Sequence, residues 1–459
     1  MLCFLLPWGF LQAQNVTIKG IAGAHKNQQI AVSLYDDLIT YSQTQVDADT
    51  VDARGNFELN LDIKTPQVAL IRTEKLVGKI YLQPNFIYGI IFPPADSTRF
   101  IAGGAEQSVD IIVNGDSTEL NARIIDFNNR FDEFWSKHYK AFVTKRVHHD
   151  LDSFQLAMNK RYEKVRLTYF KQYVAYSFAM MNENTGRHRS YLAKEFLFDK
   201  PIDYDNYEYM EFFNQYFKQY LQKQTVAKNG NLVLDAINEQ GNFAHLNELM
   251  KNDPLLKNDT LRELVLIKGL YELYYAPHYN KTKIRDMFAQ VNMSTRIPEH
   301  RKITSNILRN INELLPGTPA PGFALLNIKR DTVRLSELTQ RFVYLSFFAS
   351  WCTDCQEQFK KQEELFRKFK NKITFVSISM DEDTNAFKTF VKQNPKYGWQ
   401  FLYAGRNKEL IQRYNVLSVP VYYLINPQGN LVQSPALKPD EGIERKFNEL
   451  LKIKPRRSK

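Results

Sequence analysis

Over the first quarter of the chain, apolar residues come in short runs with period-two or β-branched character, split by turn-forming residues. Val16-Thr17-Ile18, 30–35, Phe57-Glu58-Leu59-Asn60-Leu61, 68–71, 80–82 and 88–92 read as strands. Turn signals such as Ala53-Arg54-Gly55-Asn56 and Pro93-Pro94-Ala95-Asp96 lie between them. The spacing predicts a small all-β sandwich or barrel over 15–112. The period changes at Asn114-Gly115-Asp116-Ser117-Thr118-Glu119, where Asp116 with Glu119 three residues on has the form of a capping box. Leu120, Ile124, Phe127, Phe131 and Phe134 then recur at helical spacing, and the pattern stays helical to about Leu315 with breaks near 148–150, 199–205, 229–231 and 252–254. No period is clean enough for a solenoid, so a helical middle domain is expected over 113–315.

Leu315-Pro316-Gly317-Thr318-Pro319-Ala320-Pro321-Gly322 is incompatible with a helix or a central strand and marks the clearest boundary. Beyond it the period alternates again. The apolar runs 342–348, 373–378 and 421–425 suit buried central strands, and helical stretches follow Cys352 and cover 384–393 and 408–414. This predicts a C-terminal α/β domain over 316–454, ahead of a basic tail at 455–459.

Composition narrows the class. A chain of 459 residues with 44% hydrophobic and 24% charged residues has ample material for packed cores, which excludes a disordered, collagenous or coiled-coil chain. No apolar run approaches the roughly 18 residues needed to cross a bilayer. Residues 1–14, with the apolar stretch Met1 to Leu11 and then Gln12-Ala13-Gln14, resemble the core and cleavage site of a secretory signal peptide lacking its basic start. The net charge of +11 is spread along the chain apart from the tail. With no zinc-finger spacing and no ribonucleoprotein motif, no nucleic-acid partner is expected.

The three cysteines carry the chemistry. If Cys3 leaves with a leader, only Cys352 and Cys355 remain, too few for a structural disulfide framework in an exported chain. They sit in Ala349-Ser350-Trp351-Cys352-Thr353-Asp354-Cys355, where a buried strand meets a helix. A helix N-terminus stabilises a thiolate through its dipole and free N–H groups. In this arrangement Cys352 attacks a disulfide and Cys355, one turn on, resolves the product. Half of a zinc site and two inert packed cysteines are the competing readings; the first lacks further ligands, and no metal is expected. His148-His149-Asp150 reads as a solvated linker, and the aromatic clusters Phe212-Phe213 and Tyr216-Phe217 as packing.

The C-terminal segment, from about 317 to 451, resembles the thioredoxin superfamily and within it the exported TlpA/ResA-like thiol-disulfide oxidoreductases. The resemblance lies in Ala320-Pro321-Gly322-Phe323, Leu335-Ser336-Glu337-Leu338, Phe348-Ala349-Ser350-Trp351-Cys352 with Cys355, and Tyr414-Asn415-Val416-Leu417-Ser418-Val419-Pro420 leading into Asn426-Pro427-Gln428-Gly429. It implies that Pro420 is the cis-proline beside the disulfide, that Val419 offers backbone hydrogen bonds to a substrate strand, and that Trp351 borders the same surface. Three positions depart from the family: Thr353-Asp354 lacks proline, Ser346 replaces the buried aspartate of cytoplasmic thioredoxins, and Lys360 replaces the helix-kinking proline. An Asp354 carboxylate competes with the thiolate for the helix N-terminus, which favours a reducing poise.

The resemblance further implies a thiol-disulfide oxidoreductase of the periplasm or cell envelope that reduces disulfides of client proteins, apocytochrome c among the possible clients. It needs no cofactor beyond the Cys352–Cys355 disulfide and draws electrons from a membrane thiol donor. The β-rich and helical region looks like extensions of exported Bacteroidetes thioredoxins. The alternatives are a thiol peroxidase on the same fold and a non-catalytic envelope scaffold with a vestigial thioredoxin domain. The oligomeric state is left open.

Overall fold

Side-chain alternation and turn chemistry set the first elements of the chain. In a computed structural model, residues 15–74, 76–94, 107–144, 148–198, 200–227, 230–276, 278–405 and 407–452 are described. The expected leader at 1–14 and tail at 455–459 lie outside them. The chain forms two compact units, one of Met1–Leu38, Gln43–Ala95 and Ser108–Tyr216, the other of Ile39–Ser42, Asp96–Gln107 and Phe217–Lys459.

The first unit opens with β1 (Val16–Ile21), β2 (Gln29–Tyr35), β3 (Gln43–Thr50), β4 (Asn56–Leu61), β5 (Gln67–Arg72), β6 (Leu76–Leu82), β7 (Phe86–Ile91), β8 (Gln107–Val109) and β9 (Ile112–Asn114). Among the described residues these make two sheets, β4-β1-β7-β9 and β3-β2-β5-β6-β8. Ile18 of β1 sits between Leu59 of antiparallel β4 and Tyr88 of parallel β7. The inward residues of both sheets, among them Ile18, Val32, Leu59, Ile71 and Tyr88, share one core, which gives the two-layered β region its shape. The polar β3 has no apolar run to announce it. It is an edge strand, and its Asp47 and Asp49 carboxylates accept the N–H groups of Asn60 and Glu58 on β4 at 2.7 and 2.8 Å.

Helices α1 (Leu120–Val143), α2 (His148–Arg161), α3 (Thr168–Asn184), α4 (Arg189–Phe196) and α5 (Tyr207–Tyr216) complete this unit. The first differs from expectation at its start. Glu119 is the cap, its carboxylate accepting from Ala122 N–H at 3.1 Å, while Asp116 turns back on Thr118 N–H at 2.6 Å. The reason is Asn121, whose amide exchanges two hydrogen bonds with the backbone of Tyr81 on β6, each 2.9 Å, and donates to Glu119 at 2.7 Å. Docking on the strand thus fixes where the helix begins. His148, His149 and Asp150 form the first turn of α2 rather than a linker, with His148 Nε2 3.2 Å from the Thr185 carbonyl.

The second unit contains α6 (Tyr220–Thr225), α7 (Gly230–Asp235), α8 (Phe243–Leu249), α9 (Asp259–Tyr275), α10 (Lys281–Ser294) and α11 (Pro298–Glu313). The helices of 113–315 are therefore shared between the two units. There follow β10 (Ala324–Asn327), β11 (Thr332–Arg334), α12 (Leu335–Leu338), β12 (Phe342–Phe348), α13 (Thr353–Phe369), β13 (Ile373–Ser379), α14 (Thr384–Gln393), β14 (Gln400–Tyr403), α15 (Lys408–Arg413), β15 (Val421–Ile425), β16 (Leu431–Gln433) and α16 (Ile443–Leu450). Their sheet runs β11-β10-β14-β13-β12-β15-β16. The β12, β13 and β14 strands are parallel, and β15 returns antiparallel beside β12. Covered on both faces, β12 and β15 are almost wholly buried, which is why their sequences are apolar throughout apart from Ser346. The proline- and glycine-rich linker is paired rather than loose: Gly317 N–H reaches Leu431 O at 2.7 Å and Ala320 N–H reaches Gly429 O at 2.8 Å. No helix among the described residues is long and apolar enough to cross a membrane.

Candidate active site

The site grows from the end of β12 into α13. Buried positions Cys355, Gln358, Phe359, Gln362, Leu365 and Phe369 recur at three- and four-residue spacing and seat the helix on the sheet. Arg367 and Lys368 close its last turn, where cations are favoured. The helix passes Lys360 without a break, the side chain pointing to solvent. Cys352 is the residue that caps this helix, and the Cys355 N–H points at its Sγ from 3.1 Å. The two cysteines form a disulfide with Cα atoms 5.2 Å apart. Cys352 keeps 7% of its surface exposed and Cys355 none, so an incoming sulfur meets Cys352 first.

Val419 and Pro420 lie opposite, joined by a cis peptide bond. The Val419 carbonyl oxygen is 3.7 Å from Cys352 Sγ. The indole of Trp351 is 74% exposed, an unusual position for the largest apolar side chain. All five residues singled out in the sequence, Trp351, Cys352, Cys355, Val419 and Pro420, belong to the second unit, and Val419 approaches Cys352 directly.

Asp381, just after β13, was not legible as a site residue. Its carboxylate is buried, with 2% exposure, and accepts the Ser350 N–H at 2.9 and 3.1 Å, the Ser350 hydroxyl at 2.8 Å and the Ser379 hydroxyl at 2.7 Å. On its far side the Ser350 carbonyl accepts from Gln356 Nε2 at 2.8 Å, and Cys352 N–H closes a turn on Ala349 O at 3.1 Å. The strand-to-helix corner is thereby held on three sides. Ser346, where cytoplasmic thioredoxins have an aspartate, is fully buried and shares a 2.8 Å hydrogen bond with Ser377, which accepts from Trp399 Nε1 at 2.9 Å. That pocket of the core is neutral.

Asp354 is not a bare charge at the helix start. Lys438 Nζ lies 3.0 Å from its carboxylate, which reduces the competition with a Cys352 thiolate expected from the sequence. A cleft of about 690 Å³ is lined by Asp354 and Pro420 together with Tyr275, Tyr279 and Lys281.

Known proteins resemble this part of the chain. The AhpC/TSA family profile matches residues 316–434. The thiol-disulfide oxidoreductase ResA of Bacillus thuringiensis subsp. konkukian is 30% identical over 141 residues, covering 30% of this chain and 79% of that protein. ResA of Bacillus subtilis is 29% identical over 119 residues, 26% of this chain and 65% of its own length. Among solved structures, a thiol-disulfide oxidoreductase from Bacteroides fragilis is 26% identical, covering 29% of this chain and 99% of that one with a TM-score of 0.27. A Cys-x-x-Cys disulfide capping a helix at the end of a central parallel strand, together with this similarity, identifies the chain as a thiol-disulfide oxidoreductase of the thioredoxin superfamily, belonging to the ResA-like family.

Proposed function

We propose that the protein reduces disulfides in client proteins of the cell envelope, with Cys352 as the attacking sulfur and Cys355 as the resolving one. The observation that carries this reading is the asymmetry of the pair: Cys352 caps α13, receives the Cys355 N–H and keeps an exposed edge, whereas Cys355 is sealed in the core. In the dithiol form the helix N-terminus favours a thiolate on Cys352. That thiolate attacks one client sulfur, forming a mixed disulfide and expelling the other as a thiolate. Cys355, losing its proton, then attacks Cys352 Sγ. The client leaves as a dithiol, two electrons have passed to it, and Cys352–Cys355 is the oxidised product.

Val419 and Pro420 offer the client a backbone edge beside the sulfur, and Trp351 an apolar surface. No cofactor beyond the disulfide enters these steps, and a membrane thiol donor would return the two electrons. An envelope location rests on the signal-like residues 1–14 and on the exported ResA-like proteins that the sequence resembles. The deciding measurement is the equilibrium potential of the pair in defined thiol buffers. A value at or below about −230 mV supports a reductase, while one near about −120 mV makes the protein an oxidant.

A further inference from the structure

We propose that Tyr271 and Tyr275 of α9 are positioning residues for disulfide exchange: by gripping Asn415 they hold the Val419–Pro420 backbone against Cys352, so that a helix outside the redox region sets how well polypeptide disulfides are reduced. The inference rests on the disulfide-reductase reading above and adds to it what fixes the client edge. Residues 414–420, between α15 and β15, belong to no helix or strand, so no ladder of backbone hydrogen bonds fixes their course. Asn415 is the residue at which this stretch turns. Its φ of 49° lies in the left-handed region, which asparagine tolerates better than most residues, and only 4% of its surface is exposed.

The amide of Asn415 is held at both ends by one helix. Tyr271 donates its hydroxyl to Oδ1 at 2.7 Å, and Nδ2 donates to the Tyr275 hydroxyl oxygen. Positions 271 and 275 stand one turn apart on α9, so both hydroxyls reach the same buried amide from one face of the helix. The neighbouring Tyr414 is anchored within the redox region: its hydroxyl donates to the Pro321 carbonyl at 2.7 Å, and its carbonyl accepts from the Tyr423 hydroxyl. Further along the same stretch, the Val419 carbonyl oxygen stands 3.7 Å from Cys352 Sγ. All of these residues belong to the second unit. A polypeptide client that aligns its disulfide along Val419 and Pro420 depends on where that edge lies, and a misplacement of about 1 Å between reacting groups can cost up to about a hundredfold in rate. A small disulfide with no flanking chain makes no use of the edge.

The test uses the full chain, reduced with dithiothreitol and freed of it, acting on a synthetic peptide closed by one disulfide and, in parallel, on hydroxyethyl disulfide. Tyr271→Phe combined with Tyr275→Phe removes both hydroxyls and keeps the rings. Asn415→Gly removes the gripped amide at a position whose backbone glycine adopts freely. The expected result is that either variant reduces the peptide about tenfold more slowly, while reduction of hydroxyethyl disulfide and alkylation of the reduced protein by iodoacetamide stay within about twofold. Tyr271→Phe alone should slow the peptide by about threefold, and it stands in if thermal unfolding shows that the double variant does not fold. Unchanged peptide reduction in folded variants overturns the inference, as does an equal loss with both disulfides, the mark of a general loosening of the fold. If the unmodified protein reduces hydroxyethyl disulfide but not the peptide, only the positioning falls; if it reduces neither, the reductase reading falls and the inference with it.

Discussion

Asp381 accepts both the backbone N–H and the hydroxyl of Ser350, two residues before Cys352. Among the described residues no cation pairs with this buried carboxylate, and the hydrogen bonds that converge on it offset the cost of its burial. Asp381→Asn places an amide N–H₂ against donors and is expected to cost about 2–4 kcal/mol of stability, read by chemical denaturation. It also loosens the corner that presents Cys352. Turnover of a disulfide client should fall by more than the loss of folded protein explains.

The roles proposed for the two cysteines are unequal, and variants separate them. Cys352→Ser should abolish insulin reduction with the fold retained. Cys355→Ser should leave the mixed disulfide between Cys352 and the client unresolved, visible as a covalent adduct on a non-reducing gel. Adducts formed instead through Cys355 would reverse the assignment.

The ion pair of Lys438 and Asp354, two residues after Cys352, is expected to tune the reactivity of that cysteine. Lys438→Gln frees the Asp354 charge and should slow the attack of Cys352 at neutral pH, whereas Asp354→Asn should speed it. Because Asp354 is half exposed, each effect is at most about fivefold, the scale of a surface pair. The check is the rate of alkylation of the reduced protein by iodoacetamide across pH.

In the first unit, burial and then the charge of Asp205 push the Asp203 carboxyl up to about 6, against an ordinary value of 3.8. As pH rises through this window the unfolded chain releases the proton while the folded chain holds it. Stability is therefore fully present below about pH 3.8 and lost by about pH 6. Asp203→Asn removes the titration and should stabilise the protein at pH 7 by on the order of 1–2 kcal/mol, allowing for solvent screening. The gain in Tm should vanish in acid.

What the residues disclosed in advance follows from how strongly burial marks them. Strands β12, β13 and β15 were legible because they are almost wholly buried and their runs are mainly apolar, broken only by small hydroxyl residues in β12 and β13. The cysteine pair was legible because it closes such a strand. Edge strand β3, with its exposed Thr44 and Gln45, and the short β10, β11, β14 and β16 carry no such run. The α16 helix hides because Ile443 and Phe447 are its only buried residues. Asp381 has no neighbouring motif, and its role depends on the pairing of β13 with β12, a contact between residues some thirty positions apart. The placement of Tyr275 and Lys281 beside Pro420 depends on tertiary packing, for which helical periodicity holds no signal.

Asn415, in the turn before Val419, is held by two tyrosines of α9: Tyr271 donates its hydroxyl to the side-chain oxygen at 2.7 Å, and the side-chain nitrogen donates to Tyr275. The loop that faces the disulfide is thus tied to the appended helix by side chains more than a hundred residues earlier in the chain. Grafting this redox region onto another scaffold would leave an amide in need of both partners. A change at any one of positions 271, 275 and 415 is therefore expected to require a matching change at the others, so that the helix and the redox region constrain each other's sequence.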